Sequence, residues 1–226
     1  MSRPYVLLSV AVSADGCIDD VSAGRFPLSN AADFDHVDQV RAESDAILLG
    51  AGTVRRDDPR LLVRSARRCA DRVARGLPEH PLKVVVSGSG NLDPALRLWR
   101  LGGGKLVYTT DSGAAATTVD ELAEIASLGA EIDFGALLDD LGSRGVRRLM
   151  VEGGTCIHTE FLQAGLADEL RMAIAPMLVG QEAAPRFLHP ADFPGGPARR
   201  FHLEEVTKIG DVAVLRYFPK VTSESG

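Results

Sequence analysis

An α/β fold, with a mostly parallel central sheet flanked by helices and an antiparallel edge at its C-terminal end, is what the 226-residue sequence predicts. Three observations lead there. Apolar runs of strand length recur along the chain and are apolar on both faces, the pattern of strands covered on both sides. Helical patterns lie between several of them, which makes the connections long enough for parallel crossovers. After IAPMLVG the chain turns to a Pro- and Gly-rich loop, HPADFPGGPARR, and then to two strand-like runs separated by Ile209-Gly210-Asp211, which reads as a hairpin.

The first run, VLLSVAV around Val6, ends in Asp15-Gly16 and has no cleavage-type ending, so it reads as a core strand and not as a signal segment. A helical pattern over 33–43 leads to AILLG around Ile47, and LKVVVSG around Val84 and KLVYTT around Val107 follow as strands. A helix is expected over 119–128, with Thr118 as N-cap, Asp120 and Glu121 in its first turn and Gly129 as its stop. Further helices over 137–144 and 157–165 bracket the strand LMVEGG around Met150, and LRMAIAP around Ala173 and DVAVLRYF around Val214 complete the set. Residues 1–220 read as one domain, because a single core accommodates this length, and 221–226 read as a flexible tail.

Composition narrows the function. With 45% hydrophobic and 25% charged residues the chain has the profile of a soluble globular protein. A formal charge of −6 disfavours polyanion binding; the basic run at 64–75 is balanced by acids and lacks interleaved aromatics, so no nucleic-acid partner is expected. No apolar run reaches bilayer-spanning length, and no membrane partner is expected either. Cys17, Cys69 and Cys156 cannot all pair within one chain and read as free thiols of a reducing compartment, the cytoplasm.

In open parallel sheets, ligands bind beyond the carboxyl ends of the strands. That rule selects Ser13-Ala14-Asp15-Gly16, Gly50-Ala51-Gly52-Thr53, Ser87-Gly88-Ser89-Gly90 and Glu152-Gly153-Gly154-Thr155. Gly153 and Gly154 before a helix start would leave main-chain N–H groups facing a pyrophosphate. Gly50 and Gly52 let backbone approach a ligand, while Thr53 adds a hydroxyl. Asp57-Asp58-Pro59 is compatible with a solvated turn, and Arg60 and Arg64 with surface positions or a phosphate contact. Neither glycine stretch fits the dinucleotide fingerprint Gly-x-Gly-x-x-Gly. There is no zinc-deaminase or zincin signature and no Gly-x-Ser-x-Gly elbow, so no metal site is expected. Gly102-Gly-Gly-Lys105 lacks the spacing of a phosphate loop and precedes a strand, and His158 reads as a core or surface histidine before a catalyst.

Taken in order, VSADG at 12–16, VRAESDAILLGAGTVRRDDPRLLVR at 40–64, LMVEGG with its helix, and GLADELRMAIAPMLVG at 165–180 resemble the pyrimidine reductases of riboflavin biosynthesis. That family comprises the reductase domains of bifunctional bacterial enzymes and their standalone counterparts. The resemblance runs from Pro4 to about Phe218 and implies a dihydrofolate reductase-like fold. It implies NADPH-dependent reduction of the ribosyl group of a 5-phosphoribosylamino-pyrimidine to ribityl, in a homodimer. By matching positions, Gly52, Thr53, Asp57, Gly153, Gly154, Thr155, Cys156 and Ile157 line the cofactor, with Ser87 near the adenosine 2′-phosphate. Arg41, Leu61, Arg64 and Glu152 face the small-molecule substrate, and Asp57 and Glu152 are the candidates for catalytic roles. On this reading Glu152 points away from the phosphates and accepts hydrogen bonds from substrate.

The chain departs from the family pattern where a basic residue usually follows Asp-Gly and Cys17 stands instead. Reduction of another heterocycle, such as a pterin, a dihydrofolate-like compound or a secondary-metabolite precursor, is therefore a second reading, and a non-catalytic nucleotide-binding protein a third.

Overall fold

The computed structural model describes residues 2–22 and 26–219; the tail expected at 221–226 lies outside the described residues. In chain order the strands are β1 (Tyr5–Ser13), β2 (Ala46–Gly50), β3 (Leu82–Ser87), β4 (Lys105–Thr109), β5 (Glu124–Ser127), β6 (Arg148–Gly153), β7 (Glu169–Ala175), β8 (Phe201–Ile209) and β9 (Val212–Pro219). The helices are α1 (Ala31–Glu43), α2 (Ala51–Asp57), α3 (Ala66–Ala74), α4 (Arg97–Arg100), α5 (Asp111–Ala116), α6 (Phe134–Ser143) and α7 (Thr155–Gln163).

One nine-stranded sheet runs in the order β5-β4-β3-β2-β6-β1-β7-β9-β8. β1 through β7 pair in parallel, whereas β9 joins β7 and β8 joins β9 in antiparallel register. Alternate strand residues feed two cores: Leu8, Leu48, Val84 and Val151 pack with α6 and α7 on one face. Leu7, Ile47, Leu49 and Val85 pack with Val40 of α1 and Val54 of α2 on the other. This is why the strands read as apolar throughout: each buries both of its faces.

Between β2 and β5 the chain winds outward in one direction, but β6 then inserts between β2 and β1, and β7 continues on the far side of β1. The carboxyl ends of β2, β6 and β1 therefore flank the point at which strand order reverses, where a crevice opens in such sheets.

The helix expected over 119–128 is a correction. A single turn at 119–123 leads into the edge strand β5, whose Glu124 to Ser127 pair with Leu106 to Thr109. Thr118 is not an N-cap; its hydroxyl donates to Leu92 O. Pairing with β4 outweighs a local helical pattern in which only Val119 is fully buried.

The basic run at 64–75 holds α3, capped by Ser65. Arg68 bridges to Asp35 and Asp38, and buried Arg72 donates to Ala42 O and Ser44 O at the end of α1. Arg68 and Arg72 are thus spent in docking one helix against another.

Candidate active site

Four of the helices carry a side-chain cap: Asn30 on α1, Ser65 on α3, Thr110 on α5 and Asp133 on α6 each accept from a first-turn N–H. α7 does not. Its N-cap is Gly154, with no side-chain hydrogen bond, so the N–H groups of its first turn remain open on the cleft side with the positive end of the helix dipole behind them.

Gly153 and Gly154 make this geometry, with φ of 85° and 74°. A Cβ on Gly153 would lie 2.0 Å from His158 Nε2, and one on Gly154 would lie 2.6 Å from Thr53 Oγ1. Thr53, in the first turn of α2, also donates to Gly153 O at 3.4 Å, and Ile157 packs so closely beneath Gly50 that a Cβ there would meet its Cγ1 at 2.8 Å. The ends of β2 and β6 are thus fused into one surface of backbone and small side chains.

Glu152 sits immediately before this turn, and the structure answers the question its charge raises. Arg41, in the last turn of α1, grips it bidentately, Nε to Oε1 at 2.5 Å and Nη2 to Oε2 at 2.6 Å. The two side chains are 19% and 15% exposed, so the pair is largely desolvated and each charge answers the other. Two residues placed separately on the substrate side turn out to be a single ion-paired unit.

One turn earlier on α1, Asp38 accepts from the main-chain N–H of Arg64 and Ser65. This fixes the loop after α2, in which Asp58 and Leu61 adopt left-handed backbone, φ 38° and 48°. Asp58 caps α2 and takes Arg97 as its ionic partner. Leu61 buries its side chain in the core between α1 and α2, while Arg64 is exposed at the cleft wall. A branched residue held at positive φ costs on the order of 1 kcal/mol, tolerated here because the loop is tied at both ends.

The Asp15-Gly16 turn is structural. Asp15 accepts from Ser13 Oγ, Gly180 N and Val179 N, which together hold its carboxyl down to about 2. The stretches VSADG and MLVG therefore close on one another. Cys17 turns inward, 1% exposed, and pairs through its backbone with Arg186, whose guanidinium donates to Asp15 O at 3.1 Å on the cleft wall.

Gly52, Thr53, Asp57, Ser87 and 152–157 line one continuous cleft of about 1680 Å³, together with Arg41, Leu61 and Arg64. A pocket for one small molecule measures roughly 300–1,000 Å³, so there is room for two ligands side by side. All the residues expected at the site line the same cleft. Ser87 is buried at the end of β3, and the hydroxyl exposed beside it belongs to Ser89. His158 is buried as well; desolvation pushes its imidazole down to about 3, its ring is tilted 59° against Phe187 with centroids 5.3 Å apart, and its Nδ1 has no hydrogen-bond partner. It is a packing group beneath Gly153. Asp38, Arg186 and His189 were not legible as site residues, because they belong to no strand-end turn. Among the described residues no group of His, Cys, Asp and Glu is arranged to hold a metal, and no helix is long and apolar enough to cross a membrane.

A family model described as "RibD C-terminal domain" matches residues 4–215. The chain is 36% identical over 212 residues to the 2,5-diamino-6-ribosylamino-4(3H)-pyrimidinone 5′-phosphate reductase of Archaeoglobus fulgidus, covering 92% of this chain and 95% of that one. A protein of the same name from Methanothermobacter thermautotrophicus is 36% identical over 182 residues, covering 79% of this chain and 80% of the relative. Among solved structures, Acinetobacter baumannii RibD superposes with a TM-score of 0.80 at 25% identity, over 97% of this chain but only 59% of that longer one. A pyrimidine reductase-like protein from Corynebacterium diphtheriae shares the fold, with a TM-score of 0.79 at 21% identity, over 96% of this chain and 92% of that one. The sheet with its antiparallel edge is thus the dihydrofolate reductase-like fold.

Proposed function

The chain belongs to the RibD C-terminal domain family, and from that premise we propose that it is an NADPH-dependent reductase of riboflavin biosynthesis, converting the ribosyl group of a 5-phosphoribosylamino-pyrimidine to ribityl. The observation that carries the cofactor reading is the uncapped start of α7, fused through Thr53 to the end of β2. Open N–H groups at a helix start, with no Cβ on the two preceding residues, suit a pyrophosphate and leave no space for an N-cap side chain.

When bound, NADPH would supply the hydride for C1′ of the open-chain ribose. The residues do the rest. Gly52, Thr53, Gly153, Gly154 and the first turn of α7 hold the phosphates, and Ser87 with its exposed neighbour Ser89 marks the adenosine 2′-phosphate end. Arg41 and Glu152 act as one hydrogen-bonding edge toward the substrate: with both oxygens taken by Arg41, Glu152 orients and does not donate a proton. Arg64 would take the substrate phosphate, Leu61 shapes the pocket floor, and Asp57, at the end of α2 and lining the cleft, is the second candidate carboxylate for a proton or a hydrogen bond at the reacting centre.

A homodimer fits the same reading. Leu203 and Val206 on β8 lie opposite Tyr217 and Leu215 of β9, which in turn face Leu170 and Met172 of β7. Phe201, Leu203 and Val206 are exposed, leaving an apolar sheet face at the antiparallel edge. Three unpaired cysteines accord with a cytoplasmic enzyme.

Two relatives spanned to 80% or more of their length are named for the diaminopyrimidinone, so the non-deaminated ribosylamino-pyrimidine phosphate is the expected acceptor. Cys17, turned into the core where a basic residue is usual, favours a different heterocycle as the second reading. The test follows NADPH absorbance with the non-deaminated and deaminated ribosylamino-pyrimidine phosphates and dihydrofolate offered separately. Turnover with the first alone supports the reading, whereas turnover with dihydrofolate alone, or with none, contradicts it.

A further inference from the structure

We infer that Cys156 and His189 form a thiol-exchange site at the mouth of the cleft, where a small-molecule disulfide caps Cys156 and closes the cleft to the cofactor. The closure rests on the cofactor reading above; the exchange chemistry does not.

Cys156 is the second residue of α7 and is exposed, with its Sγ 3.4 Å from His189 Nε2. Both side chains line the cleft. Their approach is fixed by the segment that carries the histidine, because the first two turns of α7 are stitched to it, once each. Thr155 Oγ1 donates to Arg186 O at 2.6 Å, and His189 N donates to Thr159 Oγ1 at 3.0 Å. Farther back the same segment is anchored to the Asp15-Gly16 turn, Ile18 N donating to Pro185 O at 2.8 Å and Phe187 N to Gly16 O at 3.2 Å. A nucleophile and a base are therefore held in register by main-chain contacts on both sides.

The other two thiols serve as internal controls. Cys17 is 1% exposed and Cys69 8%, and burial pushes the Cys69 thiol up. Neither opens on the cleft.

The step balances without any group beyond the disulfide. The Cys156 proton passes to His189 Nε2, and the sulfur attacks one sulfur of the disulfide. A new S–S bond forms as the old one breaks, Cys156 is oxidised to the mixed disulfide, and the departing sulfur is reduced to a thiol that takes up a proton. The added group then projects from the first turn of α7, over the N–H groups assigned to the pyrophosphate.

The test is reaction of the intact protein with 5,5′-dithiobis(2-nitrobenzoate), followed by release of the chromophoric thiol and peptide mass mapping. The expected result is one fast equivalent at Cys156, at least about tenfold faster than Cys17 or Cys69. Cys156→Ser abolishes it, and His189→Gln, at an exposed position, slows it by about tenfold. Capping weakens NADPH binding at least about tenfold, and dithiothreitol restores it. A fast phase that maps to Cys17 or Cys69, survives Cys156→Ser or is unchanged by His189→Gln overturns the exchange site. Equal NADPH affinity before and after capping overturns the closure. If the untreated protein binds no NADPH, the cofactor reading fails and the closure with it, while the exchange rates still decide the thiol site.

Discussion

Glu152 shows how much a single carboxylate can hide from the sequence. Its place at the end of a strand was legible, since a charged residue after a fully apolar run marks an exit from the core. Its partner was not: Arg41 lies 111 positions away, and only the docking of α1 over β6 brings the two together. Because the pair is largely desolvated, replacing Glu152 by Gln leaves Arg41 with a weakened partner, and we expect a loss of about 1–3 kcal/mol of stability by denaturant titration. The same change lowers kcat/KM for the pyrimidine substrate by about ten- to a hundredfold, because it loosens the edge that orients the acceptor. NADPH affinity remains that of the parent protein. Unaltered turnover in the Glu152→Gln enzyme would remove Glu152 from the substrate side. Ser87 is the converse case: the sequence located the right turn, but Ser87 is the last residue of β3 and is buried, whereas Ser89 lies past the strand end in the turn and is exposed. We expect Ser89→Ala to weaken NADPH more than Ser87→Ala does, read as the two dissociation constants.

At the level of elements, strands were readable wherever both faces are buried, because an apolar run admits few other interpretations. β5 was not, since it is an edge strand with exposed ends and takes its conformation from β4. α3 and α5 were missed for a related reason. α3 is dominated by charged residues, of which Arg68 and Arg72 find their main partners in and just after α1, and α5 is a six-residue Ala- and Gly-rich turn of helix. The hairpin of β8 and β9 was legible from Gly210, whose φ of 65° the turn requires. What its outer face does belongs to this scale too. If the apolar stripe through Phe201, Leu203 and Val206 is covered by a second copy, Leu203→Glu with Val206→Glu halves the mass measured by light scattering without unfolding the exposed strand. An unchanged mass would assign subunit contact to another surface.

The whole molecule responds to pH through groups that folding removes from water. His158 is held neutral by burial, its folded value about 3 against 6.5 when free. Between those values the unfolded chain binds the additional proton, so stability is intact above about pH 6.5 and falls on acidification toward 3, by up to about 1.4 kcal/mol per pH unit. Asp15 acts in the same direction but lower, between 3.8 and about 2, and His36, which burial and then the nearby Arg171 also hold below its ordinary value, shares the upper part of the window with His158. His158→Leu should therefore flatten the melting temperature between pH 4 and 6.5; a slope equal to that of the parent would show that other groups carry it.

The crevice itself is a property of strand order, with β6 inserted between β2 and β1, and no local pattern announces that insertion. Strand ends could be selected from the sequence, but which of them are neighbours is decided by the topology. In the proposed reaction the uncapped start of α7, with Gly154 pressed against Thr53, receives the phosphates of a reduced dinucleotide. Calorimetric titration of NADPH into the parent protein and into Gly154→Ala tests it most directly. A Cβ at that position enters at positive φ and 2.6 Å from Thr53 Oγ1, so the parent should bind and the variant, still folded by circular dichroism, should bind at least about tenfold more weakly. No heat from the parent, or equal affinity in both proteins, would contradict it.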